Sequence, residues 1–356
     1  MRHDGPVSVL LVEGSPLLRA RLLGVFERSG ALRARGASNT AEAREAVLSQ
    51  HPDVIVLDLD LHRGDALTFL GKLHVHYPVP VFAMTGADQR RGETALRAIE
   101  GGALEVLEKP ALASPGLPAF ASDLAERIRE AAAHARPVAP PRVQRPATPT
   151  LWRAAGLDPL RYVVAIGAST GGTEAIRALL TAVPPDFPPT LIVQHMPVGF
   201  TRAFADRLDA HSPLSVWEGR DGDTLRAGQA VVARGDTHLE LRRRPGGWGV
   251  LYTHQQPVNN HCPAVDELFH SAARHAGRYA IGILLTGMGR DGAVGLLAMR
   301  RAGALTLAQT AESCVVYGMP KAGVECGAVE ATAEPANLPA LALELAAARA
   351  NSAAAR

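Results

Sequence analysis

Short apolar runs alternate with stretches of helical spacing along the whole chain. Residues 7–12 form an apolar run of strand length, and residues 17–28 repeat apolar positions every three to four residues. Residues 54–59, 79–83 and 103–107 predict further strands, with a helix over 93–100. The same grammar returns downstream, with strands predicted at 162–166, 190–194, 230–233 and 281–286, and helices at 173–182 and 263–275. Repeated β–α alternation predicts parallel sheets. The expected fold is α/β: two doubly wound parallel-sheet domains, residues 1–130 and 156–350. Between them, residues 131–155 hold five prolines, four arginines and no acidic residue. Proline fixes φ and removes a donor, so this stretch reads as a semi-extended linker rather than helix or central strand. Its arginines serve solubility or dock an acidic partner, and Trp152 either anchors the linker to a domain or stays exposed. The alanine-rich residues 338–354 predict a closing helix.

Composition narrows the class. The 356 residues are 47% hydrophobic and 20% charged, an ordinary globular balance with room for two cores. With 37 basic and 35 acidic side chains, net charge is +2, which argues against a dedicated nucleic-acid binder. Cys262, Cys314 and Cys326 form no CxxC pair, which argues against a disulfide framework or a four-cysteine zinc site and favours a reducing compartment. Neither a signal peptide nor an apolar run of membrane-spanning length is evident. A cytoplasmic protein, not membrane-embedded, is expected.

In parallel sheets, functional side chains collect at the carboxyl ends of strands. In the first domain those ends carry Glu13, Asp58, Thr85 and Lys109, the last followed by Pro110. Two carboxylates, a hydroxyl and a lysine make a candidate phosphorylation pocket. Asp58 is the nucleophile, Thr85 bonds the phosphoryl oxygens, Lys109 pairs with the anion, and Mg²⁺ on Glu13 and Asp58 neutralises charge. Through LLVEGSPLLR, VIVLDLDLHRGDALTFL, FAMTGA and EVLEKP, residues 5–130 resemble the receiver domain of two-component response regulators. The resemblance implies two adjacent acids after the first strand, the second touching the metal. Here Gly14 stands in the second place and offers no oxygen, and His62 replaces a common proline. Either Asp58 is phosphorylated regardless, or the receiver is degenerate and acts by docking alone.

The second domain opens with RYVVAIGASTGGTEAIRALL, in which Ser169 sits at a strand-to-helix turn between glycines. Gly167-x-Ser169-x-Gly171 fits a nucleophile elbow, with the helix N-terminus suited to a developing oxyanion. A dinucleotide fingerprint would need glycine at 169, and a phosphate loop would need a lysine. A purely structural glycine turn is the plainer alternative. His195 ends the next strand and suits a general base, because the imidazole titrates near neutrality. Asp291, in the glycine-rich loop after ILLTGM, could orient that base. Thr170 and Met288 would supply oxyanion N–H groups, the latter flanked by Gly287 and Gly289. The order Ser…His…Asp differs from the Ser…Asp…His of α/β-hydrolases, so a separate fold family is implied.

Residues 158–345 closely resemble the catalytic domain of chemotaxis protein-glutamate methylesterases, the CheB-type response regulators. The match rests on IGASTGG, QHMPVGFTRAFADRL, GDTHLEL, PAVDELF, LTGMGRDGAVGLLAMR and AQTAESCVVYGMP, in the family's receiver–linker–esterase order. The resemblance implies hydrolysis of γ-glutamyl methyl esters on the cytoplasmic helices of methyl-accepting chemoreceptors, releasing methanol. It also implies possible glutamine deamidation by the same acyl-serine route, without a catalytic cofactor. It makes Ser169 the nucleophile, His195 the base and acid, and Asp291 the orienter. Further implications are a monomer, a receiver that covers the site until phosphorylated, and a chemotaxis histidine kinase as partner. Cys262, Ala264 and Arg234 depart from the family's usual arginine, serine and proline, which puts the recognised receptor sequence in question rather than catalysis. A non-catalytic docking regulator would be expected to have lost one of the three residues.

Overall fold

The computed structural model describes residues 5–61, 65–86, 91–134, 151–245, 247–253 and 256–354. The chain divides into two compact units, Met1–Pro141 and Arg142–Arg356.

The first unit carries five strands: β1 Val7–Val12, β2 Leu32–Ala37, β3 Val54–Asp58, β4 Val81–Thr85 and β5 Glu105–Glu108. They pair in parallel in the order β2-β1-β3-β4-β5. Period-two alternation sends Val7, Val9 and Leu11 of β1 to one face. There they pack with Leu18, Leu22 and Phe26 of the helix Pro16–Arg28 and with Leu124 and Ile128 of Leu117–His134. The chain leaves β1 toward β2 and returns on its other side as β3, so β1 and β3 flank the switch point where α/β sheets bind ligands. β2, LRARGA, is absent from the predicted strands. Its arginines hide the alternation, and as an edge strand it buries only its two ends.

The second unit adds β6 Val163–Ala168, β7 Thr190–Gln194, β8 Ser215–Glu218, β9 Thr224–Leu225 and β10 Gln229–Val232. It continues with β11 His238–Arg244, β12 Gly247–Thr253, β13 Ala280–Leu284, β14 Leu305–Gln309 and β15 Ala331–Ala333. Seven of these form a parallel sheet, β15-β14-β13-β6-β7-β10-β8, while β11, β12 and β9 make a small antiparallel sheet. β6 is buried on both faces. Val164 and Ile166 meet Ile176 and Leu179 of the helix Gly172–Thr181, and Val163 and Ala165 belong to the core holding Leu268 and Phe269 of the helix Val265–Ala276. Two buried faces produce the continuous apolar run that marks such strands in sequence. The closing helix spans Leu338–Ala354, as predicted.

The structure describes both ends of the linker. The helix Leu117–His134 runs past residue 130, because Ala131–Ala133 extend a helix readily and the first proline is Pro137. At the other end Trp152 is fully buried against Tyr162 and Phe187, and Asp186 accepts the backbone N–H groups of Trp152 and Arg153 at 3.0 Å each. Of its two readings, the anchor is the one seen. Residues 135–150 and His62 lie outside the described residues. Among the described residues no helix is long and apolar enough to cross a membrane.

Candidate active site and receiver pocket

In the second unit β13, β6 and β7 are neighbours, and their register levels their carboxyl ends. Ala168 lies opposite Gln194, and Gly167 opposite Leu284. Ser169 and His195 are therefore the next residues beyond a paired rung, while Asp291 lies in the loop that follows β13. The three predicted residues meet at one edge, all buried: Ser169 3%, His195 9% and Asp291 1% exposed.

Backbone bonds hold Ser169. Its N–H donates to Thr286 O at 3.0 Å, and its carbonyl accepts from Gly172 N at 2.7 Å and Gln194 Nε2 at 2.9 Å. Gln194 also donates to His195 O at 3.1 Å, tying the two loops together. Two glycines are sterically required. Gly171 has φ +75°, and a Cβ there would sit 2.7 Å from Val315; a Cβ on Gly287 would lie 2.8 Å from Ser169 Cβ. Thr170 follows Ser169 just before the helix Gly172–Thr181, and Met288 lies half-buried beyond Gly287.

His195 Nε2 is 2.8 Å from Asp291 Oδ2. Its other ring nitrogen, Nδ1, is buried without a hydrogen-bond partner. One nitrogen is thus committed to the acid and the other is left for a proton. The His261 ring stacks on His195, centroids 3.6 Å apart and 13° from parallel.

Asp291 is the electrostatic centre. Oδ2 also accepts from Val265 N at 2.7 Å, and Oδ1 accepts from Asn259 Nδ2, Asp266 N and Gly292 N at 3.0–3.1 Å. Val265 and Asp266 open the helix Val265–Ala276, whose preceding residue, Ala264, supplies no side-chain cap. Asp291 therefore caps that helix from another loop, and the positive end of the helix dipole favours its charge. Burial alone would push this carboxyl up; the hydrogen bonds and the His195 ring outweigh it and bring the pKa down to about 2.

Sequence reasoning missed Asn259, His261, Asp266 and Gln194. Asn259 and Asn260 adopt left-handed backbone (φ +51° and +64°), while Val258 and His261 exchange both backbone hydrogen bonds. Asn-Asn between paired residues is a legible hairpin signal. The turn aims the Asn259 amide at two carboxylates, Asp266 Oδ2 at 2.8 Å and Asp291 Oδ1 at 3.0 Å. Asp266 has its pKa raised, first by burial, against the Gly295 N–H that lowers it, and then by the nearby Asp291 charge. Two of the departing residues, Cys262 and Ala264, lie in the segment that leads into the helix Val265–Ala276. Ala264 is fully buried with its N–H on His238 Nδ1, and the Cys262 thiol is pushed up by burial, away from a reactive thiolate.

In the first unit Glu13, Asp58 and Thr85 are buried at the switch point, and Lys109 Nζ reaches Asp58 Oδ1 at 2.6 Å. Glu13 Oε1 accepts Ser15 N–H at 2.8 Å, while Oε2 is buried without a partner. Burial raises the Glu13 pKa; the Ser15 N–H opposes this and the Asp58 carboxylate adds to it. A pocket of about 690 Å³ opens beside Glu13, Gly14 and Asp58. An orphaned carboxylate oxygen next to a second carboxylate suits Mg²⁺, which commonly takes one or two carboxylates and keeps waters. No cluster of three or more potential metal-binding side chains occurs among the described residues. Asp60, unforeseen from sequence, also lines this pocket.

Together the two units are those of a two-domain response regulator, a phosphoacceptor-type pocket domain followed by an α/β output domain with its polar site at the strand ends. Residues 9–115 match the model of the response regulator receiver domain, and residues 164–342 match that of CheB methylesterase. The chain belongs to the CheB methylesterase family. It is 45% identical, over 91% of its length and 93% of the relative's, to the protein-glutamate methylesterase/protein-glutamine glutaminase 2 of Pseudomonas aeruginosa. It is 42% identical to the protein-glutamate methylesterase/protein-glutamine glutaminase of Salmonella typhimurium, over 91% of this chain and 92% of that one. Among solved structures, the CheB methylesterase catalytic domain of Thermotoga maritima is 37% identical, with a TM-score of 0.50, covering 52% of this chain and 98% of its own.

Proposed function

We propose that this protein hydrolyses glutamate γ-methyl esters on the cytoplasmic helices of chemoreceptors, releasing methanol, and deamidates receptor glutamines at the same site. One observation carries the reading: His195 gives Nε2 to a fixed Asp291 and keeps a buried, unpartnered Nδ1, on the strand end next to the one that carries Ser169. Ser169 Oγ attacks the ester carbonyl as Nδ1 takes its proton. The Thr170 and Met288 N–H groups receive the oxyanion, the C–O bond to the methoxyl breaks, and His195 returns the proton so that methanol leaves. Water then attacks the acyl-serine by the same relay and restores the enzyme. Asp291 stabilises the imidazolium formed at each stage. With glutamine the leaving group is ammonia, and nothing else changes. No cofactor enters this chemistry.

The receiver regulates this activity. Asp58 accepts the phosphoryl group from a chemotaxis histidine kinase, Glu13 and Asp58 would hold Mg²⁺, and Thr85 and Lys109 receive the phosphoryl oxygens. When bound, the metal screens charge between Asp58 and the incoming phosphoryl group. The protein acts in the cytoplasm as a monomer. The direct test is methanol release from receptor-bearing membranes carrying labelled methyl groups. Release by the wild type supports the assignment; release no faster than without enzyme, by folded protein, sinks it.

Asn259 acts here as a positioning residue. Asn259→Ala is expected to lower kcat about tenfold to a hundredfold with little change in KM, since it touches Asp291 rather than substrate. Asn259→Gln, which keeps the amide on a longer arm, should recover part of the loss. An unchanged kcat with a raised KM would place Asn259 in substrate binding instead.

A further inference from the structure

The receiver pocket contains an anion of its own. Asp60 lies in the turn that follows β3, and its N–H donates to Asp58 Oδ1 at 2.8 Å, which holds the two carboxylates at the same strand end. Its carboxylate takes three donors that the pocket would offer a phosphoryl group. Oδ1 accepts from Thr85 Oγ1 at 3.2 Å, and Oδ2 from Gly86 N at 2.6 Å and Lys109 Nζ at 2.8 Å. Lys109 therefore bridges Asp60 and Asp58, whose Oδ1 it meets at 2.6 Å. With its side chain 41% exposed, Asp60 reaches in from the rim rather than forming part of the floor.

We propose that Asp60 is a tethered competitor for the oxyanion cradle and keeps phosphorylation of Asp58 slow. The proposal rests on the reading of Asp58 as phosphoacceptor. In that transfer the phosphorus–oxygen bond of the donor breaks, a bond from phosphorus to an Asp58 oxygen forms, and the donor leaves with the electron pair. The transferred group carries negative oxygens that need Thr85, Gly86 and Lys109 as the transition state develops. With Asp60 in place those donors are engaged, and a fixed like charge stands within hydrogen-bond distance of where the oxygens must go. The group must displace the carboxylate from three charge-assisted or short hydrogen bonds. Conversely, the unphosphorylated receiver already holds Thr85 and Lys109 as though an anion had bound.

The test uses the full chain with Mg²⁺ and acetyl phosphate labelled in its phosphoryl group, whose leaving group is acetate. Asp60→Ala and Asp60→Asn are compared with wild type, each also combined with Asp58→Asn. Expected is incorporation at least about tenfold faster in Asp60→Ala than in wild type, a barrier difference of about 1.4 kcal/mol, and none in either Asp58→Asn background. Equal Asp58-dependent rates in wild type and Asp60→Ala overturn the role of Asp60 and leave the phosphoacceptor standing. Label that survives Asp58→Asn overturns the phosphoacceptor itself. If no form takes label, titration with inorganic phosphate, followed at the Gly86 amide resonance, decides. A phosphate-dependent shift in Asp60→Ala but not in wild type supports the competitor, and the same response in both forms contradicts it.

Discussion

Ser169→Ala is expected to lower methyl-ester hydrolysis by about four orders of magnitude or more, with the fold intact. The two halves of that expectation have different origins. Catalysis is lost because alanine has no oxygen to form the acyl-enzyme, so His195 Nδ1 has no proton to take. The fold persists because Ser169 is held through its main chain. Its N–H bonds Thr286 O, and its carbonyl bonds Gly172 N and Gln194 Nε2. None of these contacts uses Oγ, and alanine fits the space serine occupies beside Gly287. Chemical denaturation should shift by less than about 1 kcal/mol. A variant that loses activity because it unfolds would not support the assignment, and one that keeps more than a few per cent of activity would remove Ser169 from the mechanism.

Asp291→Asn should be nearly as damaging to turnover, and it should also destabilise the protein. The carboxylate accepts five hydrogen bonds, from His195, Val265, Asn259, Asp266 and Gly292. A carboxamide can accept with one end only, so its NH₂ must face donors that already point at it. Facing His195, it forces Nε2 to accept and moves the ring proton onto Nδ1, the nitrogen that must be free. Loss of about 10⁴ in kcat is expected. Turned the other way, it leaves the Asp266 and Gly292 N–H groups and the Asn259 amide without their acceptor, at a cost of about 2–4 kcal/mol. The pH dependence separates the charge from the shape. With a folded pKa of about 2, below the ordinary value of 3.8, ionised Asp291 stabilises the protein above the ordinary value. That contribution, roughly 2–3 kcal/mol, fades as pH falls through the folded value. The stability gap between wild type and variant, followed by urea unfolding, should therefore hold from pH 7 to about 4 and narrow below it. A gap that stays constant as pH falls through that window would mean the charge contributes nothing.

The parts of the site that sequence revealed were those fixed by strand ends. β6 is apolar on every rung and β1 and β7 are apolar through their centres, so these runs, and the Glu13, Ser169 and His195 that follow them, stand out against what comes next. Asp291 was legible for a related reason, as the one acid in a glycine-rich loop behind a buried strand. The supporting residues were hidden because they act across the fold. Asn259 reaches Asp291 over a separation of 32 residues, through a hairpin turn whose purpose is visible only when the Asp266 helix is seen beside it. Asp291 as a helix cap could not be read from Ala264, which offers no cap of its own and gives no hint of a distant substitute. β2 escaped because alternate arginines on an exposed edge imitate a loop. Asp60 escaped for the opposite reason: it stood in plain view in VLDLD, but only the geometry shows that Thr85, Gly86 and Lys109 all turn to it.

The central claim is a covalent route through Ser169, and the intermediate itself is the most direct object to measure. The wild-type protein would be mixed with a short peptide bearing one glutamate γ-methyl ester, quenched in acid within the first turnover, digested and weighed by mass spectrometry. The account predicts that the peptide containing Ser169 gains the mass of the ester peptide less methanol, that the adduct decays as acid product appears, and that Ser169→Ala shows none. Methanol release at the wild-type rate with no adduct on Ser169 at any time, or an adduct on another residue such as Cys262, would contradict it.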